Sequence, residues 1–389
     1  MQYLVYLTYP ALVLLLLVGA KWNKKGSWNE EFMSLDQTKV LQGFFAICIM
    51  LHHIGQETCA PWQTYKLYPG LEPFVSIGYL FVSLFMLCSG FGLYKSYKQK
   101  ENYLKGFIGK RILPLIIAFY STGLLFFAAR LLLKEKMNGW KIFCYISGWG
   151  LPNLYAWFVV AMPFFYLCFY LCFRFFKWEW LKITGTMAGV FLYTFLGTWV
   201  NHNNYWMRGE WWYNSVHLFW IGILFAKYEK PITEWVKKYY ILCFVVLLLG
   251  ALIAFPFSEY VTGVVSYYGE YNPFISHAVV VKNRWICLAS QMLASSCFVF
   301  FVLVLNLKLK IGNRFLRFMG TVTLEFYLIH GLFLELFSYR FGDSTDIHSI
   351  VRITNVALLI VVVFVLSVPA AIGVKKLDNL IYKALHRKK

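Results

Sequence analysis

The sequence predicts an all-α polytopic membrane protein, a helix bundle with about eleven transmembrane helices. Of its 389 residues, 60% are hydrophobic and only 14% are charged, and the mean hydropathy is +0.58. Soluble domains are nearer half apolar and a quarter charged. Apolar runs long enough to cross about 30 Å of hydrocarbon recur along the chain, and basic residues cluster between them. Together these observations predict a protein embedded in a lipid bilayer.

The apolar runs divide the chain into spans and connections. They lie near 2–20, 40–56, 74–94, 112–133, 154–174, 182–200, 212–227, 239–256, 285–306, 318–338 and 353–374. Alternate connections, beginning with 21–39 and ending with the C-terminal tail, contain 27 of the 37 Lys and Arg residues, and the others contain 10. Because cytoplasmic loops are enriched in Lys and Arg, this asymmetry predicts the N-terminus outside and the C-terminus inside.

Neither the charge nor the cysteines indicate a soluble function. The formal net charge is +19, but the basic residues form short clusters between apolar runs, so topology explains them better than nucleic-acid binding does. The nine cysteines lie mostly inside apolar runs, and neither a CxxC pair nor a Cys/His ligand spacing occurs. We therefore interpret them as small buried hydrophobic residues, with neither a disulfide framework nor a metal site.

The second apolar run carries the first candidate site residues. It reads KVLQGFFAICIMLHHIGQ over residues 39–56 and holds the adjacent histidines His52 and His53 near one end. Ionisable groups inside an apolar span are costly and tend to be functional. Histidine can serve as a general base because its unperturbed pKa of about 6.5 lies near the working pH. Since neighbouring side chains point about 100° apart on a helix, one of the two is expected to face a site.

The tenth run, which contains TLEFYLIHGLFL, holds Glu325 and His330. At 1.5 Å per residue, His53 should lie about 20 Å, His330 about 18 Å and Glu325 about 10 Å from the inner edge of the membrane. The two histidines are thus expected at one level with Glu325 nearer the cytoplasm, whereas contacts among the three are left open. The alternative is a polar network that only ties helices together, which is the interpretation we favour for His217.

A dense basic segment follows the third run and reads KSYKQKENYLKGFIGKRILP. It surrounds a single acid, Glu101, with Lys95, Lys98, Lys100, Lys105, Lys110 and Arg111. Positive-inside bias predicts much of this cluster. Its density also suits a phosphate-bearing nucleotide ligand that approaches from the cytoplasm. The residues alone leave both interpretations open.

At these two places the sequence resembles the acyltransferase-3 family of integral-membrane acyltransferases. In that family a helix entering from the cytoplasm carries an Arg or Lys, ten intervening residues and an essential histidine. His53 stands at the position of that histidine, with His52 beside it, and Gly43 follows the position of the basic residue. The basic position itself is occupied by Gln42, with Lys39 one turn earlier.

A second match is FMLCSGFGLY followed by KRILP, which resembles the family's Ser-Gly-Phe segment and its downstream basic motif. Arg111 matches the second arginine of that motif, Ile108 stands where the first would be, and Lys110 is the nearest replacement. LYAWFVV, NSVHLFWIGILFAK and LEFYLIHGLFL are further matching segments. The resemblance predicts an extra N-terminal helix at 1–20, an acyltransferase-3-like transmembrane domain at 34–380 and a basic cytoplasmic tail at 381–389.

The resemblance implies an enzyme of the inner (plasma) membrane. It would move an acyl group, most often acetyl, from cytoplasmic acetyl-CoA (acyl-CoA) to a hydroxyl of an extracytoplasmic carbohydrate or glycolipid, without a metal. Capsule, O-antigen, exopolysaccharide, peptidoglycan and glycolipids all stay open as acceptors. A homodimer is a further open alternative.

From this resemblance and the charge pattern we hypothesise roles for individual residues. His53, with His52 as its neighbour, would act as general base or acyl relay, and Glu325 and His330 would orient it or balance its charge. The donor side would use Arg111, Lys110 and Lys105 on the CoA phosphates, together with Ser89. Ser89 lies too near the inner face to be favoured as a nucleophile.

Two other functions compete with this one. A proton-coupled transporter or exporter could use buried acids and histidines as a relay, but it would predict inverted-repeat halves with broken helices in matching positions, which the sequence lacks. A structural partner in a polysaccharide-assembly complex, with a degenerate site, would account for Gln42 and Ile108 in place of basic residues. A proton-flux assay without acyl-CoA separates the transporter from the enzyme.

Overall fold

The computed structural model describes residues 2–62, 68–202, 206–265, 274–338 and 351–386. Helix accounts for 77% of the chain. The sheet in the described part is one antiparallel pair of two-residue strands, β1 (Lys21–Trp22) and β2 (Leu309–Lys310), with Lys21 opposite Lys310. The predicted all-α class is therefore confirmed.

The described residues form fourteen α-helices. The α-helices are α1 (Thr8–Leu17), α2 (Leu35–Thr58), α3 (Gly78–Gln99), α4 (Leu113–Leu132), α5 (Gly139–Ser147), α6 (Trp157–Phe175), α7 (Glu179–Trp199), α8 (His217–Lys227), α9 (Glu229–Lys238), α10 (Tyr240–Val264), α11 (His277–Asn306), α12 (Arg314–Thr321), α13 (Thr323–Phe337) and α14 (Val356–His386). Short 3₁₀ turns span Gln2–Leu7, Glu72–Phe74, Leu154–Ala156 and Glu210–Trp212, and a π turn spans Ile108–Ile112.

Several of these helices are long and apolar enough to cross a membrane. Within the described residues there are seven such segments, which contain α2, α3, α4, α6, α10, α11 and α14. The pair α12 and α13 passes the same test together but is bent by 82°. A multi-pass membrane protein is thus supported, while the count of eleven spans and the orientation of the termini stay predictions. Below, "inner end" denotes the end of the bundle that the sequence predicts to face the cytoplasm.

The tenth predicted span, 318–338, is wrong as a continuous helix. It is broken at Val322, and the bend of 82° turns α12 away from the direction of α13. α12 packs instead across the start of α2, so closely that a Cβ on Gly43 would lie 2.6 Å from the Leu316 carbonyl oxygen and one on Gly320 2.3 Å from the Lys39 carbonyl oxygen. The membrane-directed part of this segment therefore begins at Thr323, which places Glu325 in the first turn of α13.

α3 and α8 form an equally tight crossing. A Cβ on Gly90 would lie 1.8 Å from the Phe219 carbonyl oxygen, and one on Gly222 would lie 2.2 Å from the Leu87 carbonyl oxygen. Backbone-to-backbone contact of this kind is the usual way that small residues let membrane helices associate. The glycine of the Ser-Gly-Phe segment thus has a packing function, and it fixes the rotation of α3 and of Ser89 next to it.

Two arginines that the sequence places in connections lie on helices instead. Arg130 is in the last turn of α4 and Arg284 is in α11, and both side chains are buried in protein. Arg284 donates to the Thr198 and Val200 carbonyl oxygens at 2.8 and 2.7 Å. A charged side chain inside a membrane protein must be paired or hydrogen-bonded, and these partners are not visible in the sequence. An analysis that assigns every basic residue to a loop therefore misplaces Arg130 and Arg284.

Candidate functional site

The centre of the candidate site is a pair of buried histidines from α2 and α13. His53 Nδ1 lies 2.7 Å from His330 Nε2, and the two rings are nearly parallel, with centroids 5.0 Å apart. His330 is fully enclosed and His53 is 9% exposed. The sequence predicts the two histidines at a similar depth in the membrane. The structure also joins them by a direct hydrogen bond, although they are separated by 277 positions in the chain.

The hydrogen bonds of the pair assign its neutral tautomers. His330 Nδ1 lies 3.1 Å from the Phe326 carbonyl oxygen, which can only accept, so this nitrogen carries the proton and Nε2 is left as an acceptor. His53 Nδ1 must therefore donate to His330 Nε2. The lone pair of His53 consequently lies on Nε2, the nitrogen that faces away from His330 and is able to take up a proton.

The segment before α6 packs the pair from the side. The Tyr155 ring lies 4.5 Å from the His53 ring and 5.6 Å from the His330 ring, centroid to centroid. This segment is tied to α13 twice, because Tyr327 donates its hydroxyl proton to the Tyr155 carbonyl oxygen at 2.5 Å and Asn153 donates to the Leu328 carbonyl oxygen at 2.9 Å. These bonds hold the aromatic wall of the site to the helix that carries His330.

His52 does not join the pair. Its Nδ1 donates to the Phe74 carbonyl oxygen at 2.7 Å, in the 3₁₀ turn before α3. Its ring lies 5.1 Å from the His53 ring at an angle of 46°. The two adjacent histidines thus face different helices, as helical geometry predicts, and the structure places His53 against His330 while His52 anchors the outer half of α2 to the start of α3.

Glu325 lies on the inner side of the pair and lines a separate cavity of about 280 Å³. The cavity runs beside α2 from Gln42 to Ile49, with Ser89 of α3 and Tyr327 of α13 also in its wall. Ile49 precedes His53 by four residues, so the cavity ends about one helical turn, or 6 Å, below it. Its other lining residues are Val82, Phe85, Leu115, Phe158, Gly320, Thr321, Thr323 and Leu324.

The basic segment lies at the inner end of the bundle. Arg111 is four residues before Leu115 of the cavity wall and donates from Nε to the Tyr103 hydroxyl at 3.1 Å. Tyr166 lies beside both Ser89 and Arg111, which connects the arginine with the cavity. Lys105 and Lys110 are exposed.

Only part of this basic segment is neutralised. Lys95 pairs with Glu229, and Lys98 pairs with Glu179 at 2.7 Å. In the part of the chain that the structure describes, Lys105, Lys110 and Arg111 have no carboxylate partner. Their positive charge is therefore free to attract an anionic ligand.

A charged network closes the outer end of the same region. Arg130 bonds Glu135 at 2.8 Å, Glu335 at 3.2 Å and the Pro152 carbonyl oxygen at 2.8 Å. Burial alone would raise the pKa of Glu135, but Arg130 and Lys141 outweigh it and hold that pKa below its ordinary value. Glu335 follows His330 by five residues on α13, so the network fixes the outer half of the helix that carries His330.

The sequence does not single out every residue of the site. Tyr155 and Tyr327 stand inside the matching segments LYAWFVV and LEFYLIHGLFL, but an aromatic residue in a chain with 20% aromatic content gives no separate signal. Arg130 falls in a connection that the sequence predicts, although the structure places it in the last turn of α4. His217, which the sequence favours as structural, bonds Ser296 at 3.0 Å, away from the pair.

Among the described residues, no group of three or more His, Cys, Asp and Glu side chains is arranged to hold a metal ion. The nine cysteines are all unpaired.

Comparison with known proteins gives one informative match. The model of the acyltransferase-3 family, an acyltransferase domain, matches residues 35–374, nearly the whole chain. No curated protein and no solved structure matches. The matched region contains the histidine pair, the inner cavity and the basic segment.

Proposed function

This chain belongs to the acyltransferase-3 family, and on that premise we propose that it transfers an acetyl or other short acyl group from cytoplasmic acyl-CoA to a hydroxyl of an extracytoplasmic carbohydrate or glycolipid. The observation that carries the proposal is the hydrogen-bonded pair His53–His330, one helical turn beyond a cavity that begins near the basic inner end. A nucleophilic hydroxyl needs a base, and the pair supplies one.

In the proposed reaction, His53 Nε2 removes the proton from the acceptor hydroxyl as its oxygen attacks the thioester carbonyl carbon. His53 is then a cation, and its Nδ1–H donates a charge-assisted hydrogen bond to the neutral His330 Nε2. Collapse of the tetrahedral intermediate breaks the carbon–sulfur bond, and the proton on Nε2 passes to the CoA thiolate. His330 thus orients the base and stabilises its charged form, much as the third member of a catalytic triad does.

The donor would enter from the inner end. The uncompensated charges of Lys105, Lys110 and Arg111 suit the CoA phosphates, and the largely apolar cavity beyond them suits the thioester arm. Tyr327 lines the cavity and its ring centroid lies 6.2 Å from that of His330, so in this proposal its side chain moves to admit the thioester arm. Gln42 and Glu325 line the cavity, so we assign them to positioning the thioester arm and not to the role of base.

The donor site can be tested with Arg111→Gln. A hydrogen bond to a charged group is worth about 1.5–3 kcal/mol, so acetyl-CoA should bind roughly ten- to hundredfold more weakly. Because the lost contact is ionic, the difference should shrink as salt rises. Isothermal titration in detergent or nanodiscs measures both effects.

Arg174→Gln is the matched control, since Arg174 is an exposed arginine at the inner end of α6. It should leave the affinity within about twofold of wild type. Equal affinities for wild type and Arg111→Gln would remove the assigned phosphate site.

The role of His330 can be tested by comparing His330→Gln with His330→Leu. Leu removes the acceptor for His53 Nδ1–H, so the rate of transfer should fall roughly ten- to hundredfold, with acetyl-CoA affinity unchanged. Gln offers an amide oxygen in a similar place and should recover part of the rate. If His330 had only a structural role, the rate of each variant would fall in proportion to its loss of folded protein, and Gln would recover no more than Leu. The thermal midpoint reports that loss of folded protein.

The reaction itself is tested in sealed vesicles. Labelled acetyl-CoA is enclosed on the basic side, purified envelope polysaccharides are added to the other side, and acylated polysaccharide and free CoA thiol are measured. Label should appear on the carbohydrate with one thiol released per acyl group. Proton flux in the absence of acyl-CoA, without any transfer, would favour the transporter instead.

A further inference from the structure

A niche at Gly331 of α13 receives the ring of Tyr155. Gly331 directly follows His330, and a Cβ built on it would lie 2.1 Å from Cδ2 and 2.3 Å from Cε2 of Tyr155. Non-bonded carbon atoms pack at about 3.5–4.0 Å, so a side chain on residue 331 would push the ring away. The Tyr155 ring thus packs directly on the helix backbone beside His330, a close approach that requires glycine.

From this niche the Tyr155 ring contacts both histidines of the pair. Its centroid lies 4.5 Å from that of His53 and 5.6 Å from that of His330, with the ring planes tilted by 51° and 46°. His53 belongs to α2 and His330 belongs to α13. Tyr155 therefore packs against both partners of the hydrogen bond that joins these two helices.

The backbone of Tyr155 is fixed to the helix that contains the niche. Its carbonyl oxygen accepts from the Tyr327 hydroxyl at 2.5 Å, and its N–H donates to the Asn153 side-chain oxygen at 3.0 Å. Asn153 Nδ2 in turn donates to the Leu328 carbonyl oxygen at 2.9 Å. Because Tyr327 and Leu328 both lie on α13, a ring driven out of the niche can move only by rotating about its own side-chain bonds. Its contact with the histidine pair would then change.

The orientation of the His53 ring matters because its two nitrogens have different tasks. Rotation of the ring by about 180° about the Cβ–Cγ bond would put Cδ2 in place of Nδ1 at His330 and move Nε2 to the position of Cε1. This torsion is broad and roughly two-fold in histidine, so one hydrogen bond between neutral rings holds it only weakly. Packing against the side of the ring is a second restraint, and Tyr155 supplies it.

We propose that Tyr155, seated on Gly331, is a positioning residue of the transfer reaction. It holds the His53 ring in the orientation in which Nδ1 donates to His330 and Nε2 keeps its lone pair for the acceptor hydroxyl. Tyr155 acts through His53 and not on the substrate. The catalytic part of this inference rests on the proposed function, whereas the orientation of the His53 ring is measured without any acyl transfer.

Nitrogen NMR of the folded protein labelled with ¹⁵N-histidine tests the orientation. Wild type should show one pair of nitrogen signals, absent from His53→Gln, in which Nδ1 is protonated and Nε2 is not. Tyr155→Leu and Gly331→Ala should each replace this pair with exchange-averaged signals, whereas Tyr155→Phe keeps the ring and should preserve it. A fixed tautomer of His53 in Tyr155→Leu, or averaged signals already in wild type, would overturn the proposal whether or not the protein transfers an acyl group.

Transfer in sealed vesicles tests the catalytic consequence. Tyr155→Leu and Gly331→Ala should each lower the rate roughly ten- to hundredfold, as small misplacements of a reacting group do, with acetyl-CoA affinity unchanged. Tyr155→Phe should keep most of the rate. Because both substitutions remove the same contact, the double variant should be no slower than the slower single variant. Additive losses, or a loss in Tyr155→Phe as large as in Tyr155→Leu, would contradict the positioning role.

Gly197 and Tyr213 supply the matched control. A Cβ on Gly197 of α7 would lie 2.5 Å from Cδ1 of Tyr213, and this buried tyrosine lies 3.3 Å from His202 through its hydroxyl. Gly197→Ala and Tyr213→Leu should therefore disturb a similar ring-on-backbone contact while the His53 signals and the rate stay as in wild type. Equal losses of rate in the two sets, in proportion to the loss of folded protein, would indicate a general packing effect and overturn the proposal.

Discussion

Replacing His53 with Ala is expected to lower the rate of acyl transfer by roughly 10²- to 10⁴-fold, the usual contribution of a general base. The reason is that, within the hydrogen-bonded histidines, His53 Nε2 is the nitrogen with a free lone pair. When His53 is Ala, His330 cannot contact the acceptor hydroxyl in its place. Donor binding should stay within a few-fold of wild type, because the basic segment is untouched. Transfer in sealed vesicles and titration with acetyl-CoA measure the two quantities separately.

The control is His217→Ala. It also removes a buried histidine and one hydrogen bond, to Ser296, so it should cost comparable stability while keeping transfer within a few-fold of wild type. Both variants must first be shown to insert and to retain a cooperative thermal transition. Transfer by folded His53→Ala at a rate near that of wild type would exclude His53 as base or relay.

The second large effect is expected at the crossing of α3 and α8. A methyl group on Gly90 would lie 1.8 Å from the Phe219 carbonyl oxygen, and backbone cannot give way as a side chain can. Gly90→Ala should therefore force the helices apart and lower the free energy of unfolding by at least about 3 kcal/mol, the upper end of ordinary overpacking. Thermal or denaturant unfolding in mild detergent measures the change.

Gly92→Ala is the matched control two residues away on the same helix. A Cβ at Gly92 would meet nothing within 4 Å, and alanine is favoured over glycine in a helix by about 1 kcal/mol. The variant should thus be as stable as wild type or slightly more stable. Similar destabilisation by both substitutions would indicate a general intolerance of α3 and would contradict the tight crossing as the cause.

Much of the architecture is predictable from the sequence because hydrophobicity acts locally. A span must cover a fixed thickness of hydrocarbon with apolar side chains, so α2, α3, α10, α11 and α14 are visible as apolar runs. The break at Val322 is not visible in the sequence, because α12 and α13 together form one continuous apolar run. α12 bends away because Gly43 and Gly320 allow it to pack against α2, and that contact involves residues far apart in the chain.

The sequence by itself determined the class of protein, the family and the candidate histidines. Composition and charge pattern predict a membrane bundle, and the spacing around His53 carries the resemblance. It also placed His53 and His330 at a similar depth, since rise per residue is fixed by helix geometry.

Only the tertiary structure decided which candidates meet. His53 bonds His330 while His52 turns to Phe74, and Glu325 faces the inner cavity instead of the pair. These outcomes depend on which helices are neighbours and how each is rotated about its axis. Side-chain packing between distant segments sets both, and no local pattern of residues encodes it.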